Sequence, residues 1–477
     1  IAVPAAILSF ADIGDSPQTT RMAAIASMMS IFWITEAIPL AATALLPMGL
    51  FPLLGISDSN SVGSKYMNST VFLLIGGFMI ALAMQRWNLH KRIALSVLAM
   101  FGGHPSMLLL GFMLATSGLS MWISNTATTL MMLPIALAVI SRYQRLLNEE
   151  QSHKLAVGLL LSIAYSASIG GMMTLVGTAP NLVFARFFEM MTGNTVGFAQ
   201  WMLMAIPVGL VMLLMLAFIM TGIFLKGLPA SDELKQVVYE EKVQLGRMRY
   251  EEKAVLLLFM VTAALWITRK GLHLGHFSLQ GWGEKIPFGK MVDDGSVAIA
   301  MALILFFIPA REESGKKTTI LNAEVFTKLP WAVVVLFGGG FALAYGFTES
   351  GLSEYLALQL HGLKNASLPL VILSVSAGMS LLTELTSNTA TTQLVLPILE
   401  SASDVIGVSP VWLMLPATLA ASCAFMFPVA TPPNAIIFGS GKLRVLDMVA
   451  MGVILNTVAI LVISLMSFWL LPMVFTI

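Results

Sequence analysis

The sequence predicts an all-α integral membrane protein with about eleven spanning helices. Three observations predict it. Of the 477 residues 57% are apolar and 11% charged, against about 25% charged in an ordinary soluble domain, too few to solvate a water-facing surface. The apolar residues lie in runs such as Met202 to Leu225 and Met448 to Phe475, at or beyond the roughly 20 residues a helix needs to cross hydrocarbon. No run shows the two-residue alternation of a β-barrel strand, which leaves helices as the spanning elements.

In chain order the candidate spans are Ile1 to Phe10, Met22 to Leu50, Val71 to Met84, Ser106 to Ile123, Leu155 to Gly170 and Trp201 to Leu225. They continue with Ala254 to Ile267, Val297 to Ile308, Trp331 to Phe347, Leu368 to Leu382, Val411 to Phe427 and Met448 to Leu471, with re-entrant pieces expected among them. The chain starts at Ile1 without a methionine, and its apolar start reads as the tail of a longer first span, not a signal peptide. The longest polar interruption, Lys226 to Lys253, carries Ser231-Asp232-Glu233-Leu234-Lys235 and Tyr239-Glu240-Glu241-Lys242, and reads as a solvated helical linker between two halves.

Charge and thiol chemistry exclude several function classes. A formal charge of +1 gives no basic surplus for nucleic acid. The single cysteine, Cys423, allows no intrachain disulfide and no multi-thiolate metal site. His90, His104, His153, His273, His276 and His361 lie in or near expected loops, which argues against a histidine proton relay, and no catalytic constellation for a membrane-embedded enzyme is present. The Lys and Arg residues do not set an orientation, because most basic loops also carry acids.

The most informative pattern is a duplication. Ser124-Asn125-Thr126-Ala127-Thr128-Thr129 recurs as Ser387-Asn388-Thr389-Ala390-Thr391-Thr392, 263 residues later. The same offset carries Leu133-Pro134-Ile135 onto Leu396-Pro397-Ile398 and Gly76-Gly77-Phe78 onto Gly339-Gly340-Phe341. Gly177-Thr178-Ala179-Pro180-Asn181 pairs with Ala430-Thr431-Pro432-Pro433-Asn434 at an offset of 253, so the second copy is ten residues shorter there. Gly/Pro interruptions at corresponding positions of two halves point to a transporter with its site between the halves. A backbone broken inside a bilayer exposes N–H and C=O groups that cost several kcal/mol each unless they line a cavity or hold a ligand. The sequence leaves open whether the halves are parallel or inverted.

The chemistry of these segments suits a carboxylate and a hard cation together. Serine, threonine and asparagine donate N–H and O–H to an anion and offer neutral oxygens to Na⁺, while helix N-termini at the breaks add partial positive charge. No Lys or Arg occurs from Ile93 to Ser141 or from Asn365 to Gly441. An anion site without a basic residue predicts that bound Na⁺ neutralises the substrate. A dianion needs two such ions, and a third would let the membrane potential drive uptake at about 2.3 kcal/mol per charge per 100 mV. Two acids lie in apolar surroundings: Glu36, expected as an ion ligand or a cap at a helix break, and Glu384, which could tune the site or ligate directly.

With Trp33-Ile34-Thr35-Glu36-Ala37-Ile38-Pro39, both Ser-Asn-Thr triplets, Gly338-Gly339-Gly340 and both Pro-Asn breaks, the chain resembles the divalent anion:sodium symporter family over nearly its whole length. These are the bacterial relatives of the INDY and sodium-dicarboxylate/citrate carriers. The resemblance implies two inverted repeats, two re-entrant hairpins, and a homodimer whose transport domains slide past a fixed scaffold as elevators, in a bacterial inner membrane. It implies scaffold helices in 1–53 and a first repeat in 54–225, with a hairpin at 106–140 and a broken helix near 177–181. After the linker 226–253 it implies a second repeat in 254–477, with a hairpin near 368–405 and a broken helix near 430–434.

It also implies sites. One Na⁺ falls to Ser120, Ser124, Asn125 and Gly177, and a second to Thr383, Thr386, Asn388 and Ala430. The carboxylates fall to Ser124, Asn125, Thr126, Ser387, Asn388 and Thr389, with Thr431 and Pro432 lining the pocket. Ala179 departs from the family, which often carries a second proline before Pro180. The expected activity is Na⁺-coupled symport of C4-dicarboxylates such as succinate, malate and fumarate, with a Na⁺-independent exchanger or a citrate carrier as the alternative. The expected partners are the substrate, the lipid bilayer and a second copy of the chain, with no nucleic acid.

Overall fold

The computed structural model describes residues 4, 13–14, 16–101, 104–144, 147–229, 233–274, 277–312, 314–362 and 366–475. The candidate span from Ile1 to Phe10 lies outside the described residues, Pro4 excepted. Six described helical stretches are long and apolar enough to cross a membrane, among them Asn125–Tyr143, Glu149–Met172, Trp331–Glu349 and Val445–Val474, and five shorter apolar helices accompany them. Two small antiparallel hairpins, Leu272–Leu274 with Phe277–Leu279 and Pro309–Arg311 with Lys317–Thr319, are the exceptions to an all-α chain among the described residues.

The first helix, α1 (Pro17–Thr35), starts on a Ser16 cap with Pro17 in its first turn, where a missing N–H costs nothing. It stops at Glu36, whose backbone is left-handed (φ 49°), and Pro39 holds the break open. The expected single span from Met22 to Leu50 is therefore two pieces, α1 and the segment ending in α2 (Leu46–Leu53). Next come α3 (Ser59–Tyr66), α4 (Ser69–Arg86) and α5 (Leu89–Leu98).

The duplication is visible in the helix bounds. Helices α6 (Pro105–Ser120) and α7 (Asn125–Tyr143) are joined by a four-residue turn. Moved by 263 residues, their bounds fall on those of α16 (Leu368–Thr383) and α17 (Asn388–Ile406). The paired glycines serve matching close approaches. A Cβ on Gly76 of α4 would stand 2.6 Å from Ala298 Cβ, and one on Gly339 would stand 2.2 Å from the Ala44 carbonyl oxygen. Those contacts seat α4 against α13 (Asp294–Phe307) and α14 (Trp331–Glu349) against the Leu40–Thr43 turn.

After the first of these helix pairs, α8 (Glu149–Met172) is buried from Leu155 to its end and forms the spine of the first half. It is followed by α9 (Ala179–Thr192) and α10 (Phe198–Met220), which continues through a wider turn at Thr221–Leu225. The linker holds a helix that is exposed at most of its described positions and packed on one side. Helix α11 (Glu233–Gln244) docks on α5 and α7 by burying Val237 and Val238, with ion pairs Lys91–Glu241 (3.0 Å) and Arg142–Glu240 (2.8 Å). Its end also moves, because α12 (Tyr250–Arg269) begins inside the expected 226–253 segment. The second half is completed by α15 (Leu352–Gln359), α18 (Val411–Ala421), α19 (Pro432–Phe438) and α20 (Val445–Val474). The expected span from Val411 to Phe427 ends at Ala421, and an unwound stretch follows.

Candidate functional site

Both Ser-Asn-Thr segments form the first turn of a helix. Ser124 caps α7 by accepting from Ala127 N at 3.3 Å, and Ser387 caps α17 by accepting from Ala390 N at 3.5 Å. The caps leave Asn125 and Asn388 as the first helical residues of the two turns. Ser120 donates its hydroxyl to Asn125 Oδ1 at 2.6 Å, while Asn388 Oδ1 is buried and has no hydrogen-bond partner among the described residues. Behind Asn125 stands Gly171, where a Cβ would come within 2.4 Å of Asn125 Oδ1, so the asparagine side chain fills the space of the missing side chain.

The two breaks are held by matching asparagines. Asn181 donates through Nδ2 to the carbonyls of Gly171 (3.2 Å), Met172 (3.3 Å) and Thr174 (2.6 Å), tying the unwound turn after α8 to the start of α9. Asn434 does the same in the second half with Ala424 (3.3 Å) and Phe427 (3.0 Å). Each asparagine is fully buried, which makes its amide the internal replacement for helical hydrogen bonds lost at the break.

Glu384 takes a role that the sequence left open. Its carboxylate does not line the cavity described below and instead accepts from the backbone N–H groups of Phe425 (2.7 Å), Met426 (3.0 Å) and Phe427 (3.2 Å), and from Asn456 Nδ2 (2.7 Å). The carboxylate thus satisfies consecutive donors exposed by the unwinding after α18. The corresponding position in the first repeat is Met121, whose carbonyl accepts from the Thr174 hydroxyl, so the two halves brace their breaks with different chemistry.

These pieces converge on one cavity of about 780 Å³. It is lined by Ser124, Asn125, Thr126, Ser387, Asn388, Thr389, Thr431 and Pro432, the residues expected around the carboxylates. Of the expected ion ligands, Gly177, Thr386 and Ala430 also line it, together with Ser124, Asn125 and Asn388. Ser120 and Thr383 do not; both are buried, and the Thr383 hydroxyl donates to carbonyls of its own helix at Met379 (3.0 Å) and Ser380 (3.2 Å). Helices α7, α9 and α17 begin at the cavity, so their N-terminal partial charges face it.

Among the described residues no Lys, Arg or His lines the cavity, and the one charged lining residue is Glu36. The fold brings Glu36 to the motifs although it is nearly ninety residues from the nearer one in sequence. The helix break itself does this, since it leaves Thr35 and Glu36 exposed at the end of α1. Thr178 and Val429 also line the cavity and were not assigned to it; Thr178 lies within the first break motif, as the counterpart of Thr431, and Val429 is one residue before the second.

A family model, the sodium:sulfate symporter transmembrane region, matches residues 1–477. The chain belongs to the sodium:sulfate symporter family. It is a multi-pass integral membrane transporter. Sodium-dependent dicarboxylate transporters SdcS of Staphylococcus aureus strains MRSA252 and COL are each 42% identical to it over 459 residues, covering 94% of this chain and 86% of theirs. Two solved transporters share the fold at low sequence identity. MtrF of Neisseria gonorrhoeae, described as an antimetabolite efflux pump, gives a TM-score of 0.59 at 14% identity, over 98% of this chain and 96% of its own. YdaH of Alcanivorax borkumensis gives 0.59 at 12%, over 94% and 98%.

Proposed function

We propose that this chain carries C4-dicarboxylates such as succinate, malate and fumarate into the cell together with Na⁺. The observation that carries the proposal is the single cavity built from both Ser-Asn-Thr turns and both unwound turns, with no basic residue on its wall. The relatives named above as sodium-dependent dicarboxylate transporters support both substrate and ion.

The residues divide the work by their donor and acceptor capacity. Ser120, Ser124, Asn125 and the Gly177 carbonyl hold one Na⁺, and Thr383, Thr386, Asn388 and the Ala430 carbonyl hold the other. The unpartnered Asn388 Oδ1 supports the second set, because a buried amide oxygen without a donor is costly unless an ion takes it. Thr383 fits such a role only through its oxygen lone pairs, since its proton is used within α16. The substrate carboxylates are held by the Ser124-Asn125-Thr126 and Ser387-Asn388-Thr389 turns, with Thr431 and Pro432 shaping the wall.

Two bound Na⁺ ions neutralise the dianion before it leaves water. This is the physical basis of coupling, because either charge alone in the cavity lacks its counter-charge. The two helix–turn–helix units act as re-entrant hairpins of inverted repeats, and the cavity is carried across a bacterial inner membrane by a transport domain that moves against the scaffold of a homodimer. Radiolabelled succinate uptake into proteoliposomes, with an inward Na⁺ gradient or with choline, and with citrate as competitor, tests the proposal. Gradient-dependent uptake that citrate does not block supports it; equal counterflow without Na⁺ refutes it in favour of exchange.

A further inference from the structure

We propose that Tyr165 is a positioning residue that couples the two Na⁺-binding halves of the cavity. The inference rests on the two-ion reading above and adds to it a physical route by which occupancy of one half is felt by the other. Tyr165 lies on α8, in the first repeat, and is completely buried. Its hydroxyl donates at 2.8 Å to the carbonyl of Phe425, in the unwound stretch of the second repeat, and the two rings pack with centroids 5.0 Å apart.

Both ends of this link lead to an ion site. Six residues beyond Tyr165, or about 9 Å along a helix, α8 reaches Gly170 and Gly171, which touch the first hairpin. A Cβ on Gly170 would stand 2.3 Å from the Ser117 carbonyl oxygen, and one on Gly171 would stand 2.4 Å from Asn125 Oδ1. A helix in such contact cannot shift without moving Asn125. At the other end, the N–H of Phe425 is fixed by Glu384, and Asn434 ties Ala424 to Phe427. Ala430 N in turn donates to the Phe427 carbonyl at 3.2 Å. Displacement of the Phe425 peptide is therefore passed through Phe427 to Ala430, the proposed carbonyl ligand of the second ion.

The link has no counterpart running the other way. At the offset of 253 that relates the two breaks, Tyr165 corresponds to Thr418, whose hydroxyl donates to the Met414 carbonyl of its own helix at 2.7 Å. A buried tyrosine hydroxyl takes an acceptor in any case, and what distinguishes this one is that the acceptor belongs to the other repeat. Here the acceptor is backbone of a segment that has already lost its helical bonds, where one added donor has the most effect on geometry.

The test compares wild type with Tyr165→Phe, which keeps the ring and removes only the hydroxyl. Succinate uptake into proteoliposomes is measured against Na⁺ concentration, alongside Na⁺-dependent thermal stabilisation of the purified protein. The expected result is a Hill slope that falls towards one and a half-activating Na⁺ concentration raised about five- to tenfold, the scale of one lost hydrogen bond. The KM for succinate at saturating Na⁺ stays within twofold of wild type. An unchanged Na⁺ curve overturns the proposal, as does a fall in maximal rate at every Na⁺ concentration with the same slope. A Tyr165→Phe chain that fails to fold also counts against it, because that outcome assigns the hydroxyl to folding. Wild-type uptake with no Na⁺ dependence is a distinct outcome: it overturns the symport reading itself, and the coupling with it.

Discussion

Replacing Glu384 by glutamine probes how the second half of the cavity is held. The carboxylate accepts from three consecutive backbone N–H groups and from Asn456, all within 3.2 Å and out of contact with water. A glutamine amide keeps one oxygen acceptor; with that oxygen at the Oε1 position Phe425 N, Met426 N and Asn456 Nδ2 stay bonded, and the NH₂ group leaves the Phe427 N–H without its partner. At about 1.5 kcal/mol for that bond, the low end for bonds to a charged group, the unwound stretch is destabilised by about 1.5 kcal/mol. If the binding-competent arrangement falls by the corresponding factor, the apparent Na⁺ affinity of the proposed second site drops about tenfold. The assay is the Na⁺ activation curve of succinate uptake in proteoliposomes, paired with thermal unfolding in detergent. The variant is expected to fold with a lowered midpoint and to need far more Na⁺. A Glu384→Gln protein with the wild-type activation curve and midpoint would refute the clamp.

Other substitutions address the rest of the cavity. Asn125→Ala and Asn388→Ala are each expected to abolish Na⁺-dependent uptake while the protein stays folded, with the wild-type elution volume on size-exclusion chromatography; wild-type uptake in both would remove the site assignment. Gly171→Ala places a methyl carbon 2.4 Å from Asn125 Oδ1 and should cut uptake at least tenfold, whereas Gly118→Ala, in open space, should leave it unchanged. Glu36→Gln removes the one charge on the cavity wall. It should lower the KM for a dianionic substrate by about two- to fivefold, with the difference shrinking at high salt, as expected for a solvent-screened charge. A raised KM would instead make Glu36 part of the cation machinery.

Much of this site could be read along the chain because its parts are local. A cap serine followed by asparagine and threonine defines a helix start wherever it occurs, and repetition with a fixed register predicts a second hairpin of the same length; the bounds of α6–α7 and α16–α17 agree to the residue. The Pro-Asn breaks were legible for a similar reason, since proline removes a donor at the position where the helix must restart.

What was not legible depends on contacts between distant segments. Glu384 and Glu36 look alike as acids in apolar runs, yet one turns inward to three amides and the other outward into the cavity. Only the neighbouring backbone decides between them. Tyr165 carries no motif at all, because its partner is a carbonyl 260 residues away. The polar linker, charged enough to suggest a solvated helix, docks through two valines and two ion pairs whose partners lie on helices α5 and α7. The break of the first long apolar run was foreshadowed by Pro39, but hydrophobicity alone reads continuously through it.

In the proposed function, bound Na⁺ does for the anion what a basic residue does elsewhere. Equilibrium binding of radiolabelled succinate to the purified protein, with Na⁺ replaced by choline at constant ionic strength, tests it most directly. No measurable binding is expected in choline, and the affinity should rise with Na⁺ with a log–log slope above one if two ions enter with one dianion. Succinate binding of equal affinity in Na⁺ and in choline would contradict it.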